Sequence, residues 1–201
     1  MENLDTTVAT HFCTETYADS NLFKDEEIAK VVSIPIIAKF EKVSYEQFKK
    51  DMIKCTGFDD EELIKCCYED IKLPKRSTQG SAGYDFYAPI NFQPLVGEGV
   101  VIPTGIRCQI EPGWVLELYP RSGQGFKYGM YLYNTVGVID SDYYNADNEG
   151  HIMVKVAVRE ECPYIEENER FCQGVFKQFG ITIDDDAKDV RKGGIGSTGK
   201  K

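Results

Sequence analysis

The sequence lacks what a binder of long polyanions needs. Lys and Arg total 23 against 33 Asp and Glu, a formal net charge of −10, which argues against duplex nucleic acid as a partner because such affinity rests on neutralising a phosphate backbone. A small polyphosphate remains compatible if a few cations and a metal gather locally on an otherwise acidic surface. No apolar run is long enough to span a bilayer or form a signal peptide, so a cytoplasmic protein without membrane contact is expected. The only histidines, His11 and His151, are far apart, and no Cys-x-x-Cys pair exists. A zinc centre therefore fails on spacing. The absence of His-x-Glu with a following Pro-Cys-x-x-Cys argues against a zinc-dependent base deaminase. Seven cysteines, an odd number without a secretory signal, read as reduced thiols.

At 201 residues the chain has room for one substantial core with an addition, not for two full domains. Residues 1–33 are polar and acidic without sustained periodicity and read as a mobile or partner-draped leader. Residues 34–183 read as a β domain that includes a helical hairpin at about 44–68. Ser33 to Phe40 is a short β-rich run in which Pro35 marks an edge strand or strand start. Ser44 with Gln47 forms a capping-box pattern before a helix over about 45–55, and Asp59 with Glu62 repeats it before a second helix ending near Tyr68, with Leu63 and Cys67 on one face. From Leu73 onward, short β-rich runs broken by Gly, Pro, Asn and Asp indicate an all-β sandwich or barrel. Alternation is plainest at Ile152, Val154, Val156 and Val158, and again at Trp114, Leu116 and Leu118. Residues 184–201 turn acidic, then basic, then glycine-rich, a composition for a flexible arm rather than a core.

Five segments carry residues suited to chemistry. Ser81-Ala82-Gly83-Tyr84-Asp85-Phe86 combines small residues, which allow close backbone approach, with a carboxylate that can serve a metal or its waters; a bland turn explains it almost as well. Tyr119-Pro120-Arg121-Ser122-Gly123 sets a cation, a hydroxyl and a flexible backbone amide side by side, all suited to phosphate oxygens. In Asn134 to Tyr143 an apolar run ends in Asp140, Asp142 and an aromatic ring, as a β-hairpin would present a carboxylate and a ring at a pocket; a strand with an Asp-rich turn is the plainer alternative. Arg170-Phe171-Cys172-Gln173-Gly174 leads into a further β run, and its Arg170 and Gln173 read equally well as core-edge hydrogen-bonding residues or as ligand contacts. Arg191 to Gly199 is cationic, glycine-rich and hydroxyl-bearing, able to wrap polyphosphate with backbone amides, although it lacks Walker spacing.

Together and in this order, the five segments resemble the five motifs of the trimeric dUTPase family over roughly residues 71 to 200. The resemblance implies a β jelly roll assembled as a homotrimer, each active site built from all three subunits, splitting dUTP into dUMP and pyrophosphate with Mg2+ and so supplying dUMP for dTMP synthesis. By that resemblance Asp140 holds and activates the attacking water and receives the sugar 3′-hydroxyl. Tyr143 packs under the deoxyribose and excludes a ribose. Asn134 and the Gly137, Val138 and Ile139 backbone read uracil from a hairpin. Arg121, Ser122, Gly123 and Gln173 contact phosphates, and Asp85 orders the metal's water shell. Arg191, Gly194, Ile195, Gly196 and Ser197 form an arm closing over the γ-phosphate and base. Ile195 stands where the family usually carries a phenylalanine, so it can cover the base but not stack on it. Arg191 stands one residue closer to the paired glycines than in many members. The long Tyr144–Gly150 stretch and the helical hairpin are expected to decorate the trimer without altering the chemistry. The alternatives are a dCTP deaminase of the same fold, for which no suitably placed glutamate is found, and a nucleotide-sensing trimer that binds a regulatory protein.

Overall fold

The computed structural model describes residues 34–189 and 191–193. The leader at 1–33 and the arm residues Gly194, Ile195, Gly196 and Ser197 lie outside the described residues. The first strand, β1 (Ala38–Lys42), begins only after Pro35, which has no N–H to give a ladder. The first helix, α1, spans Tyr45–Thr56 and the second, α2, Glu61–Asp70. Nine short strands follow: β2 (Lys75–Arg76), β3 (Tyr84–Tyr87), β4 (Val100–Pro103), β5 (Ile106–Ile110), β6 (Trp114–Pro120), β7 (Tyr131–Leu132), β8 (Gly137–Ile139), β9 (Met153–Ala157) and β10 (Arg170–Gln178). A third helix, α3 (Ser122–Tyr128), follows β6, and a 3-10 turn, Ser141–Asn145, follows β8. The architecture is mostly β with few helices.

Ser44 caps α1 as expected, its Oγ accepting the Gln47 N–H at 3.2 Å, and Gly57 closes the helix in the left-handed region. The box does not close reciprocally. The Gln47 side chain turns inward to Asp51 Oδ2 at 2.6 Å, while the Ser44 N–H and hydroxyl both reach the Glu149 carboxylate. In α2 the cap is Asp60, not Asp59: Asp60 Oδ1 accepts the Leu63 N–H at 3.1 Å. The inward stripe corrects with it. Ile64 is fully buried, whereas Leu63 is 51% exposed, so the core face runs through Ile64, Cys67, Tyr68 and Ile71, at the i, i+3, i+4, i+7 spacing of a helix. The helix also continues past Tyr68 to Asp70. Its last turn contains no cation, and Lys42 of β1 supplies one from outside, donating to the Tyr68 and Glu69 carbonyls at 2.8 and 2.9 Å.

Three antiparallel sheets order as β1-β5, β2-β3-β10-β6-β8 and β4-β9-β7. The expected alternation holds: Ile152, Val154, Val156 and Val158 are buried, as are Leu116 and Leu118, while Trp114 is only partly so. One expectation fails. The segment before Asp140 is not a ladder-bonded hairpin, because β7 pairs with β9 and β8 pairs with β6, in different sheets. The connecting residues bend from one sheet to the other through Thr135, which takes a positive φ of 69°. Leu132 and Ile139, on either side of that bend, both enter the same hydrophobic core.

Six cysteines are described, and all are free thiols; Cys13 lies outside the described residues. Burial pushes Cys108 up to about 12 and raises Cys172 further, which keeps both protonated and inert. Among the described residues no helix is long and apolar enough to cross a membrane.

Acid should loosen the seam where β1 meets the turn after β8. Hydrogen bonds from Lys39 and Tyr144 hold the Glu41 carboxyl down at about 2. A carboxylate depressed in the folded state contributes stability above its unfolded value, and that contribution disappears as pH falls through the folded value. Melting temperature should therefore drop between about pH 4.5 and pH 2, and Glu41→Gln should flatten that part of the profile; solvent screening at this half-buried position keeps the effect small.

Candidate active site

The predicted residues gather into two groups. The first is organised by strand register. On β10, Gln173 faces Asp85 of β3 on one side and Tyr119 of β6 on the other, so the first, second and fourth segments lie on three adjacent strands. Asp85 is 7% exposed and is the centre of this group. Its Oδ1 receives Arg121 Nε at 2.9 Å, and its Oδ2 receives Ser77 Oγ at 2.6 Å and Arg170 Nη1 at 3.1 Å. A carboxylate holding two guanidinium groups fixes two long cations and preorganises them. Ser122 and Gly123 open α3, whose first turn has no side-chain cap, so their exposed amides keep donor capacity for an outside acceptor. Gly83 packs close to the Gln173 side chain: a Cβ there would lie 2.6 Å from Oε1 and would displace that amide.

Sequence reasoning missed two members of this group. The sequence carries Arg170 within the fourth segment without assigning it to the site, and it gives Ser77 no role. Ser77 lies in the polar stretch Lys75-Arg76-Ser77-Thr78, a few residues before the first segment, and no pattern there marks it.

The second group surrounds the end of β8. Gly137 and Ile139 are buried against β6, and Val138 and Asn134 are exposed. Because β8 is the edge strand of its sheet, one side of its backbone has no strand partner there, leaving N–H and C=O groups able to read a ligand edge. Asp140 follows directly and is half exposed. Tyr143 lies in the 3-10 turn and is buried; its hydroxyl donates to the His151 carbonyl at 2.8 Å and accepts from Asn148 Nδ2 at 2.8 Å. Burial raises its phenol, against the lowering effect of the Asn148 hydrogen bond and of Arg191. Arg191, matched in sequence to a γ-phosphate contact, instead lies on Asp140 at 2.7 Å with its guanidinium 4.8 Å from the centre of the Tyr143 ring. The Lys192 carbonyl accepts the Asp147 N–H at 2.9 Å and ties this part of the arm to the turn.

One chain does not bring the two groups together. Ile139 pairs with Leu116, which places Asp140 beside Val115, six residues along β6 from Arg121. At about 3.3 Å per residue this is roughly 20 Å.

A divalent metal fits the first group only in one way. Among the described residues no cluster of three or more His, Cys, Asp or Glu side chains could hold an ion. Asp85 Oδ1, with Arg121 as its one partner, keeps a second acceptor site. The donor set suits an ion that retains water and takes phosphate oxygens, not a protein cage.

A catalytic β fold with a cationic cradle and a separate carboxylate-aromatic edge is a class to which solved proteins correspond. The dUTPase family model matches residues 69–199 and so contains all five segments. A deoxyuridine 5'-triphosphate nucleotidohydrolase from Lactococcus lactis subsp. lactis is 44% identical over 153 residues, covering 73% of this chain and 99% of that protein. One from Hahella chejuensis is 43% identical over 150 residues, covering 69% and 94%. The crystal structure of a dUTPase from Streptococcus mutans superposes with a TM-score of 0.53 at 36% identity, covering 73% of this chain and 98% of that one. This chain belongs to the dUTPase family.

Proposed function

We propose that the protein hydrolyses dUTP to dUMP and pyrophosphate in the presence of Mg2+, as a jelly-roll homotrimer with shared active sites. The observation that carries the reading is the match to the family over residues 69–199, which takes in the cradle and the carboxylate edge together. The wide separation of Asp140 and Arg121 along β6 supports shared sites: a second copy must supply the cradle to the carboxylate of the first. The exposure of Phe126 and Val138, at 92% and 55%, fits surfaces covered in such an assembly.

In this reading Asp140 orients a water for in-line attack on the α-phosphorus and takes its proton, with no covalent intermediate on the enzyme. Arg121, Ser122, Gly123 and Gln173 bind the phosphates, and the Asp85 carboxylate keeps Arg121 and Arg170 aimed without reorganisation during the reaction. When bound, magnesium supplies charge neutralisation along the triphosphate, and Asp85 Oδ1 is the residue that would accept from its water shell. The edge backbone of β8 reads the base, and the Tyr143 ring packs under the deoxyribose. Arg191 must leave Asp140 for substrate to enter, and is then available to the γ-phosphate with the rest of the arm. The dCTP deaminase alternative is not favoured, since the relatives are nucleotidohydrolases of dUTP.

The test is pyrophosphate release from dUTP, with and without Mg2+, with dCTP, dTTP and UTP in parallel. Metal-dependent turnover of dUTP with strong preference over the other three is expected. Equal turnover of dCTP, or release of ammonia, would sink it.

A further inference from the structure

We infer that α1 is part of the specificity apparatus: the buried Asp51–His151 pair positions Tyr143 and so sets discrimination between deoxyribose and ribose, an inference that rests on Tyr143 being the sugar platform. The helices at 45–70 and the Tyr144–Gly150 stretch were expected to be decoration, and the contacts between them indicate otherwise.

The hydrogen-bond chain is continuous. His151 is fully buried. Its Nε2 accepts the Gly105 N–H at 2.8 Å, so the ring proton resides on Nδ1 and is donated to Asp51 Oδ2 at 2.7 Å. Asp51 is fixed in turn by Gln47 at 2.6 Å. With its ring held from both sides, the His151 backbone is fixed as well, and its carbonyl receives the Tyr143 hydroxyl. Asn148 completes the seat of that hydroxyl.

Two further ties run from the same loop to the same side of the molecule. Glu149 takes the backbone N–H and hydroxyl of the α1 cap Ser44 at 2.7 and 2.5 Å, and the Tyr144 hydroxyl donates to Glu41 at 2.5 Å. The loop itself is tightly folded. Gly150 has a φ of 69°, and a Cβ there would meet the Tyr143 carbonyl oxygen and Tyr144 Cα at 2.7 Å. Among the described residues, the polar groups that hold the Tyr143 hydroxyl are therefore carried by a loop pinned to α1. Steric rejection of one hydroxyl requires a platform that does not yield, because an apolar surface by itself rejects an added hydroxyl only by about a hundredfold.

Asp51 and His151 are thus positioning residues. The experiment is kcat and KM for dUTP and UTP in the intact enzyme and in Asp51→Leu, Asp51→Asn and Tyr143→Ala. Asp51→Leu removes the acceptor and should lower the dUTP-over-UTP ratio of kcat/KM by roughly tenfold, mainly by improving UTP relative to dUTP. Asp51→Asn keeps an oxygen for His151 Nδ1 and should restore most of the ratio, a rescue that general destabilisation would not produce. If Asp51→Leu does not fold, Glu149→Ala carries the same test, freeing the loop from the α1 cap at a half-buried position, and should lower the ratio severalfold. A folded Asp51→Leu or Glu149→Ala enzyme with an unchanged ratio overturns the inference when Tyr143→Ala lowers it. An unchanged ratio in Tyr143→Ala overturns the platform reading itself.

Discussion

Asp140→Asn is expected to reduce dUTP turnover by at least about 10²–10⁴-fold, the range for losing a positioned general base. Asn is nearly isosteric and can still accept from Arg191, so the fold and the closed contact at 2.7 Å should survive. What disappears is the ability to take a proton from water. Because the same residue is assigned to the sugar 3′-hydroxyl, some loss in KM should accompany the larger loss in kcat. Single-turnover kinetics separate the two. A variant that binds dUTP normally and hydrolyses it at the wild-type rate would remove Asp140 from the chemistry and leave the attacking water without a base in the described site.

Arg121→Ala should be nearly as damaging, about 10²–10³-fold in kcat, since it deletes a preorganised cation at the developing phosphate charge. Its Asp85 partner would keep Arg170 and Ser77, so the cradle should be weakened rather than collapsed. The more informative result comes from mixing. Asp140 and Arg121 stand at opposite ends of β6 in one chain, and in the proposed trimer each site draws them from two copies. Co-refolded Asp140→Asn and Arg121→Ala chains should then recover activity that neither has alone, to about one quarter of wild type if subunits combine at random in a closed ring. Sites built within one chain would show no recovery at any mixing ratio.

Much of the cradle is legible in the sequence alone. Arg121 is conspicuous in an arginine-poor chain, and its neighbours Ser122 and Gly123 are the right groups for phosphate. Arg170 was less legible, because its segment reads equally well as the edge of a core strand. Only pairing across β10 shows that it shares a carboxylate with Arg121. Ser77 sits in a polar stretch with no pattern to mark it. The β7–β8 bend was misread for a related reason: two short apolar runs with a polar link look the same whether the strands pair with each other or with different sheets. The shift from Asp59 to Asp60 in α2 has a simpler cause, since two adjacent aspartates are equivalent cap candidates and burial of Ile64 decides between them.

The sequence alone was enough for whatever depends on local spacing and composition: the helical and strand periodicities, the acidic surface that argues against long nucleic acids, and the five ordered segments with Asp140 and Tyr143 among them. Only the tertiary structure could join residues that are far apart in the chain. Asp51 and His151 are 100 positions apart yet share a hydrogen bond. Asp85 and Arg170 are separated by 85 positions and form one ion pair. Such contacts carry no local signature, because a buried polar group is defined by what satisfies it, and that partner is chosen by strand register and helix packing.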